Sequence, residues 1–455
     1  MPLIRAAAAL GRFAGVCALA LAALLATAAP AAAHAELVSS SPANGAVLSS
    51  EPRQLTLVFS ESVTSRLSSV KVIGPDGRQV GTGAPRTTGP DGDSLVVDLA
   101  PEPQRGTFVL DWRATAADDG HATSGTLTFS VGTPSRTAAA DRSGPTGRSD
   151  RITDAVLDLS VWTGFAGLAL MVGLAAIRLY CLPADATRRR TGTAPESRPG
   201  NRASALRRPA TLGWSALLAG TLLQLFVYGP STQGESLAHV LDRGLLAATL
   251  STHEGHALVA RLLLLAVVAA IGEPVLRRRG GTVAAAVLTL ALAATWSGIS
   301  HASTGSLVPL ALAVTTVHVT AMAVWAGGLF TVVVLLTRDS DTDSDADLPT
   351  TVARFSRLAL ASVTLLAATG MYQAFREVDS WSALGGTEYG RLLVLKTAVL
   401  SLVLAVAGVT RVRAARSPEP GNSGLRRSVL LELAGVTVLL AVTVALVGTA
   451  PATRL

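Results

Sequence analysis

Thr107-Phe108-Val109-Leu110-Asp111-Trp112-Arg113-Ala114-Thr115 alternates along its length. Phe108, Leu110 and Trp112 fall on one side of an extended chain, and Asp111 and Arg113 on the other. That is the pattern of a strand with one face in a core. Runs of the same kind surround it. Arg53–Ser60 puts Leu55, Leu57 and Phe59 on one face. Ser69–Ile73 ends in the turn sequence Gly74-Pro75-Asp76-Gly77, and Ser94–Leu99 and Gly125–Val131 complete the set. Short strands separated by Gly, Pro and Asp predict a β-sandwich or barrel over residues 34–133. About 100 residues suffice for one core without disulfides.

Upstream, Arg5 and Arg12 flank the start of an apolar run from Phe13 to Ala29, and Ala31-Ala32-Ala33 supplies small residues for a cut. Residues 1–33 are therefore expected to be a signal peptide, which places the β-domain outside the cytoplasm. A cut after Ala33 makes His34 the first residue. Its α-amino nitrogen and imidazole can then close one chelate ring, an arrangement suited to Cu(II).

Downstream the composition changes. Of 455 residues, 49% are hydrophobic and 15% charged, against about a quarter charged in soluble proteins. Residues 134–150 have no periodicity and read as a linker. Eight apolar spans follow, near 155–181, 208–228, 256–272, 282–300, 307–337, 355–376, 391–410 and 428–449. They predict an all-α polytopic membrane domain of about eight transmembrane helices over 151–455. With the β-domain outside, the Arg-rich loops at 182–207, 277–279 and 411–427 all fall inside, as the positive-inside rule requires. The net charge of +7 lies mostly in such loops, so it sets topology and does not point to nucleic acid. The two cysteines, Cys17 and Cys181, build neither a disulfide framework nor a zinc site. The two lysines, Lys71 and Lys396, sit in no phosphate loop, and the cytoplasmic loops are too short for a nucleotide-binding domain. ATP is not expected as a partner.

The seven histidines are His34, His121, His239, His253, His256, His301 and His318, and none falls on the cytoplasmic side. Asp119 and His121 are two apart, so on an extended strand end they face the same way. Joined by His34 they form an N/O set for Cu(II), although a polar Asp-Gly turn accounts for the same letters. His318 lies eleven residues into the fifth span, about 16 Å deep, with Met322 one turn on. An ionisable residue at that depth is a functional-site hypothesis, and a thioether favours Cu(I). The alternative is a neutral His bonded between helices, with Met as core filler. His253 and His256 are one turn apart beside Glu254, and His301 ends the fourth span at the outer face. Lys396 is expected to snorkel toward the outer surface.

His34-Ala-Glu-Leu37, Ser41-Pro-Ala-Asn-Gly45, Leu55-Thr-Leu-Val-Phe-Ser-Glu61 and Asp119-Gly-His121 together resemble the CopC family of copper-binding proteins. The resemblance implies a Greek-key β-domain whose Cu(II) ligands are His34, Asp119 and His121. There is no Met between His34 and Val131, which speaks against the Cu(I) site that some members carry. Residues 151–455 resemble the CopD family of copper-resistance membrane proteins. The carrying residues are Ser300-His-Ala302, His318 with Trp325-Ala-Gly-Gly328, Thr369-Gly-Met-Tyr372 and Thr387-Glu-Tyr-Gly-Arg-Leu-Leu-Val-Leu-Lys396.

The expectation is thus a non-enzymatic copper carrier in the plasma membrane. The outer domain takes Cu(II), and the membrane domain moves copper inward through His253, His256, His301, His318 and Met322. A haem-containing or copper-reducing membrane oxidoreductase, with His301 and His318 as axial ligands, stays open. So does a copper-sequestering resistance protein. The sequence names no cytoplasmic copper chaperone.

Overall fold

The computed structural model describes residues 35–80, 82–100, 104–117, 120, 122–135, 148–182, 207–276, 281–298, 307–338, 348–378, 382–416, 422–447 and 449. The leader expected over 1–33 lies outside the described residues, as do His34, Asp119, His121 and His301.

Among the described residues, nine strands form the N-terminal domain: β1 (Leu37–Ser41), β2 (Ala46–Leu48), β3 (Gln54–Phe59), β4 (Val63–Ile73), β5 (Gln79–Val80), β6 (Arg86–Thr88), β7 (Ser94–Asp98), β8 (Gly106–Ala116) and β9 (Ala122–Val131). They make a sandwich of two sheets, ordered β1-β3-β7-β6 and β2-β9-β8-β4-β5. The alternating residues do what their spacing requires. Leu55, Leu57 and Phe59 of β3 meet Phe108, Leu110 and Trp112 of β8 in one buried core, joined by Val70, Val72, Leu95 and Phe129. Phe59 packs edge-on to Trp112 with centroids 5.4 Å apart, and Phe108 stacks on Phe129 at 5.1 Å. Both are arrangements that aromatic quadrupoles favour.

The remainder is helical: α1 (Arg148–Ala176), α2 (Arg207–Gln233), α3 (Arg243–Leu250), α4 (His253–Leu276), α5 (Gly281–Ser297), α6 (Val308–Arg338), α7 (Leu348–Glu377), the short α8 (Ala383–Gly386), α9 (Glu388–Arg416) and α10 (Asn422–Val447). The last turn of α1 continues as a π-helical turn, Ile177–Cys181. Among the described residues, seven helices are long and apolar enough to cross a membrane. The fourth expected span is the remaining one, α5, a 17-residue apolar helix, about 25 Å long.

The central helix, α1, packs along α2 and α6. Glycine makes the closest approach. Gly173 of α1 lies directly against the backbone of Gly327 and Gly328 on α6, where any Cβ would collide. Apolar side chains gain nothing by leaving lipid, so helices in a bilayer gain from backbone-to-backbone closeness of this kind. The Trp325-Ala-Gly-Gly328 run thus has a packing role. Outside this seam, α9 pairs with α10, and α10 reaches α6 and α1.

The sandwich sits on the helices at the end carrying the start of α1 and the end of α2. Arg113, on the polar face of β8, donates from Nη1 to Ser231 O at 2.8 Å. Gln233 donates to Arg66 O at 2.8 Å, and Ser69 Oγ donates to Gln233 O at 3.3 Å. Lys71 pairs with Glu235 at 3.4 Å, while Thr153 donates to Glu235 O at 3.0 Å. Part of the polar face that alternation assigns to water is therefore a docking face.

Candidate functional site

The loop between β8 and β9 carries Asp119-Gly120-His121. Of these, Gly120 is described, with φ +74°, a left-handed conformation that costs other residues roughly 1–2 kcal/mol. Tyr228, near the end of α2 and 7% exposed, donates from its hydroxyl to Gly120 O at 2.5 Å. A Cβ on Gly120 would come 2.5 Å from that hydroxyl oxygen. Glycine is required here both by φ and by the approach of the tyrosine. Thr123 Oγ1 donates to Ala35 O at 2.7 Å, and Ala35 is fully buried. This bond holds the residue that follows His34 beside the start of β9, the strand that follows His121.

Below the Tyr228–Gly120 contact opens a cavity of about 1660 Å³. Its lining runs from Gly120 and Thr123 past Asp154, Asp158, Gln224 and Glu254 to Trp296, His318 and Met322. Asp154 and Asp158 are four apart on α1 and so share a helical face. Asp154 accepts from Ser231 Oγ at 2.6 Å. Glu254 is buried and accepts from Gln224 Nε2 at 2.7 Å. Behind them Arg261, 1% exposed, lays its guanidinium over the Trp296 ring at 3.4 Å and donates from Nε to Thr295 Oγ1 at 3.0 Å. Its Nη1 reaches Gln224 Oε1 at 3.4 Å. Gln224 therefore bridges a buried carboxylate and a buried guanidinium, the pairing such charges need in a low dielectric.

Deeper in, His318 Nδ1 is 2.7 Å from Thr369 Oγ1 of α7, and Gln373 Nε2 donates to Thr315 Oγ1 at 3.0 Å. His318 and Met322 line the cavity together, as their spacing on one face requires. Lys396 lines the same cavity, within electrostatic range of His318 and of Glu377 at the end of α7. His253 and His256 both lie exposed at the start of α4, and the residue that turns inward between them is Glu254. His239 lies 3.8 Å from Glu235 at the docking seam. Among the described residues, no three His, Cys, Asp or Glu side chains converge to hold a metal ion.

Sequence reasoning passed over Asp154, Asp158 and Arg261. Each is an ionisable residue in or at the end of an apolar span, the signal that singled out His318. Tyr228 carried no such signal. Tyr228→Phe is expected to leave Gly120 O without its buried donor and to loosen the loop by about 1–3 kcal/mol. Hydrogen exchange should then accelerate in the peptide spanning 117–124 while β3 and β8 core amides stay protected. Unchanged exchange in that peptide would remove Tyr228 from the site.

Three family models match the chain. Residues 37–132 match the CopC domain, residues 152–309 the copper resistance protein D-like N-terminal domain, and residues 349–446 copper resistance protein D. The copper transport protein CutJ of Bacillus subtilis is 25% identical over 388 residues, which are 83% of this chain and 67% of that protein. Copper resistance protein C of Pseudomonas syringae pv. tomato is 33% identical over 104 residues, 22% of this chain and 81% of that protein. The crystal structure of CopC from Methylosinus trichosporium OB3b aligns at 27% identity over 23% of this chain and 98% of its own, with a TM-score of 0.20.

Proposed function

Since the chain belongs to the copper-resistance family that joins a CopC domain to a CopD membrane domain, we propose that it binds copper outside the cell and carries it inward across the plasma membrane. The observation that supports this reading is the cavity whose lining includes Gly120 at the outer domain and His318 and Met322 in the helices.

In this reading His34, Asp119 and His121 capture Cu(II) through an amine, two imidazoles and a carboxylate, an N/O set matched to that ion. The ion then passes the carboxylates of Asp154, Asp158 and Glu254, whose field concentrates cations in a low-dielectric cleft. His318 and Met322 receive it through an imidazole and a thioether, both ligands that accept copper. Two ligands hold an ion less firmly than a closed site, and conduction requires weak, successive binding. The membrane potential adds about 2.3 kcal/mol per charge per 100 mV to inward movement. His301, at the end of the preceding span, belongs to the same path. His253 and His256 lie exposed at the start of α4 and act before the cavity is entered. The cargo is copper, and the transport step is not an enzymatic one.

The test is copper content, measured by mass spectrometry, in cells with and without the gene at equal external copper. Higher content with the gene is expected. Equal content would overturn transport, and lower content would overturn the inward direction.

A further inference from the structure

We propose that Thr369 is a positioning residue that fixes the tautomer of His318, keeping the proton on Nδ1 so that Nε2 is offered as a bare ligand to the cavity. This rests on the reading of His318 as a copper ligand.

The inference follows from counting protons. A threonine hydroxyl has one hydrogen to donate, and a neutral imidazole has one N–H. Thr369 Oγ1 lies 2.5 Å from Leu365 O, the carbonyl one turn back on α7. A carbonyl oxygen cannot donate, so an approach this short requires the threonine proton between the two oxygens. His318 Nδ1 lies 2.7 Å from the same Oγ1. With the hydroxyl proton already committed, Nδ1 must donate, and Nε2 then carries a lone pair. Nε2 has no hydrogen-bond partner among the described residues. With Nδ1 held by Thr369, Nε2 is the ring nitrogen left to face the cavity that His318 lines.

The residue after Thr369 supports the same geometry. A Cβ at Gly370 would stand 3.4 Å from His318 Cε1, so glycine lets α7 come close to the ring. The other two residues of the Thr369-Gly-Met-Tyr372 run make no contact of this kind with the ring. Met371 is 64% exposed, and Tyr372 is buried against Ala311. A ligating imidazole held by hydrogen bonding at its other nitrogen is the usual arrangement in metal sites, and losing that partner costs about 10- to 100-fold in metal affinity.

Two measurements on the full-length protein in detergent test the assignment. In the first, imidazole nitrogens are labelled with nitrogen-15 and long-range proton–nitrogen correlations are recorded. His318 is identified by its absence in His318→Gln. The Nδ1–H pattern is expected in wild type and in Thr369→Ser, with transfer of the proton to Nε2 in Thr369→Val. An Nε2–H pattern in wild type would overturn the proposal. In the second, Cu(I) is titrated under reducing conditions against a chromophoric chelator. Thr369→Val should bind about 10- to 100-fold more weakly, and Thr369→Ser should restore binding. Wild-type affinity in Thr369→Val would overturn the positioning role. His318→Gln with wild-type affinity would overturn the ligand reading, while the tautomer is still decided by the first measurement.

Discussion

His318→Gln is expected to abolish copper accumulation as completely as His318→Ala, in cells that make either variant at the wild-type level. The comparison turns on what glutamine keeps. Its side-chain amide can still donate to Thr369 Oγ1, the partner His318 has at 2.7 Å, so a purely structural histidine would be replaced at little cost. What glutamine lacks is an imidazole nitrogen with metal affinity. Accumulation should fall to that of cells without the gene, and Cu(II) binding at the outer domain should be unchanged. Normal uptake by His318→Gln at normal expression would make His318 a structural residue and remove α6 from the path.

The second large effect belongs to the outer ligands. His121→Ala should weaken Cu(II) binding by the full-length protein by more than the roughly 100-fold that loss of a supporting partner can cost. Asp119→Ala should cost less, because water can replace a carboxylate oxygen more readily than an imidazole nitrogen. Asp118→Ala is the control, since successive residues of an extended segment point to opposite sides. Titration followed by electron paramagnetic resonance reads all three. Equal losses at Asp118 and Asp119 would show that the Asp-Gly-His assignment is wrong. In wild type, affinity should decline on acidification, because amine and imidazole must be deprotonated to bind.

The sandwich was legible where burial alternates. Leu55, Leu57 and Phe59, and Phe108, Leu110 and Trp112, announce their strands because each run has a dry face and a wet one. The strands β1 and β6 carry no such contrast. Ser39-Ser40-Ser41 and Arg86-Thr87-Thr88 lie at sheet edges, where one neighbour suffices and polar residues are tolerated. The membrane helices were legible from apolar length alone, and so was the pairing of His318 with Met322, which needs only a 3.6-residue period. The placement of Lys396 in the cavity beside Glu377 and His318 was not legible, because it depends on how α6, α7 and α9 meet in space. Nor was the Tyr228–Gly120 bond, which joins residues 108 apart in sequence. Arg113 is the instructive case. Alternation placed it correctly on the polar face of β8, but polarity does not distinguish a residue facing water from one that donates to Ser231 O.

The seating of β4 and β8 on the α2–α3 connection has a kinetic consequence. A capture module swinging on a long tether would deliver its ion at a rate set by collision with the mouth. On the function proposed above, a module already bonded there through Arg113, Gln233 and Tyr228 would deliver by ligand exchange inside one particle, a first-order event. Flux then depends on the fraction of outer sites that are filled. The half-saturating external copper concentration of the whole chain reports the affinity of the capture site, while the maximal rate reports the steps below it. Changes at His121 and at His318 should accordingly separate, the first shifting the concentration axis and the second lowering the plateau.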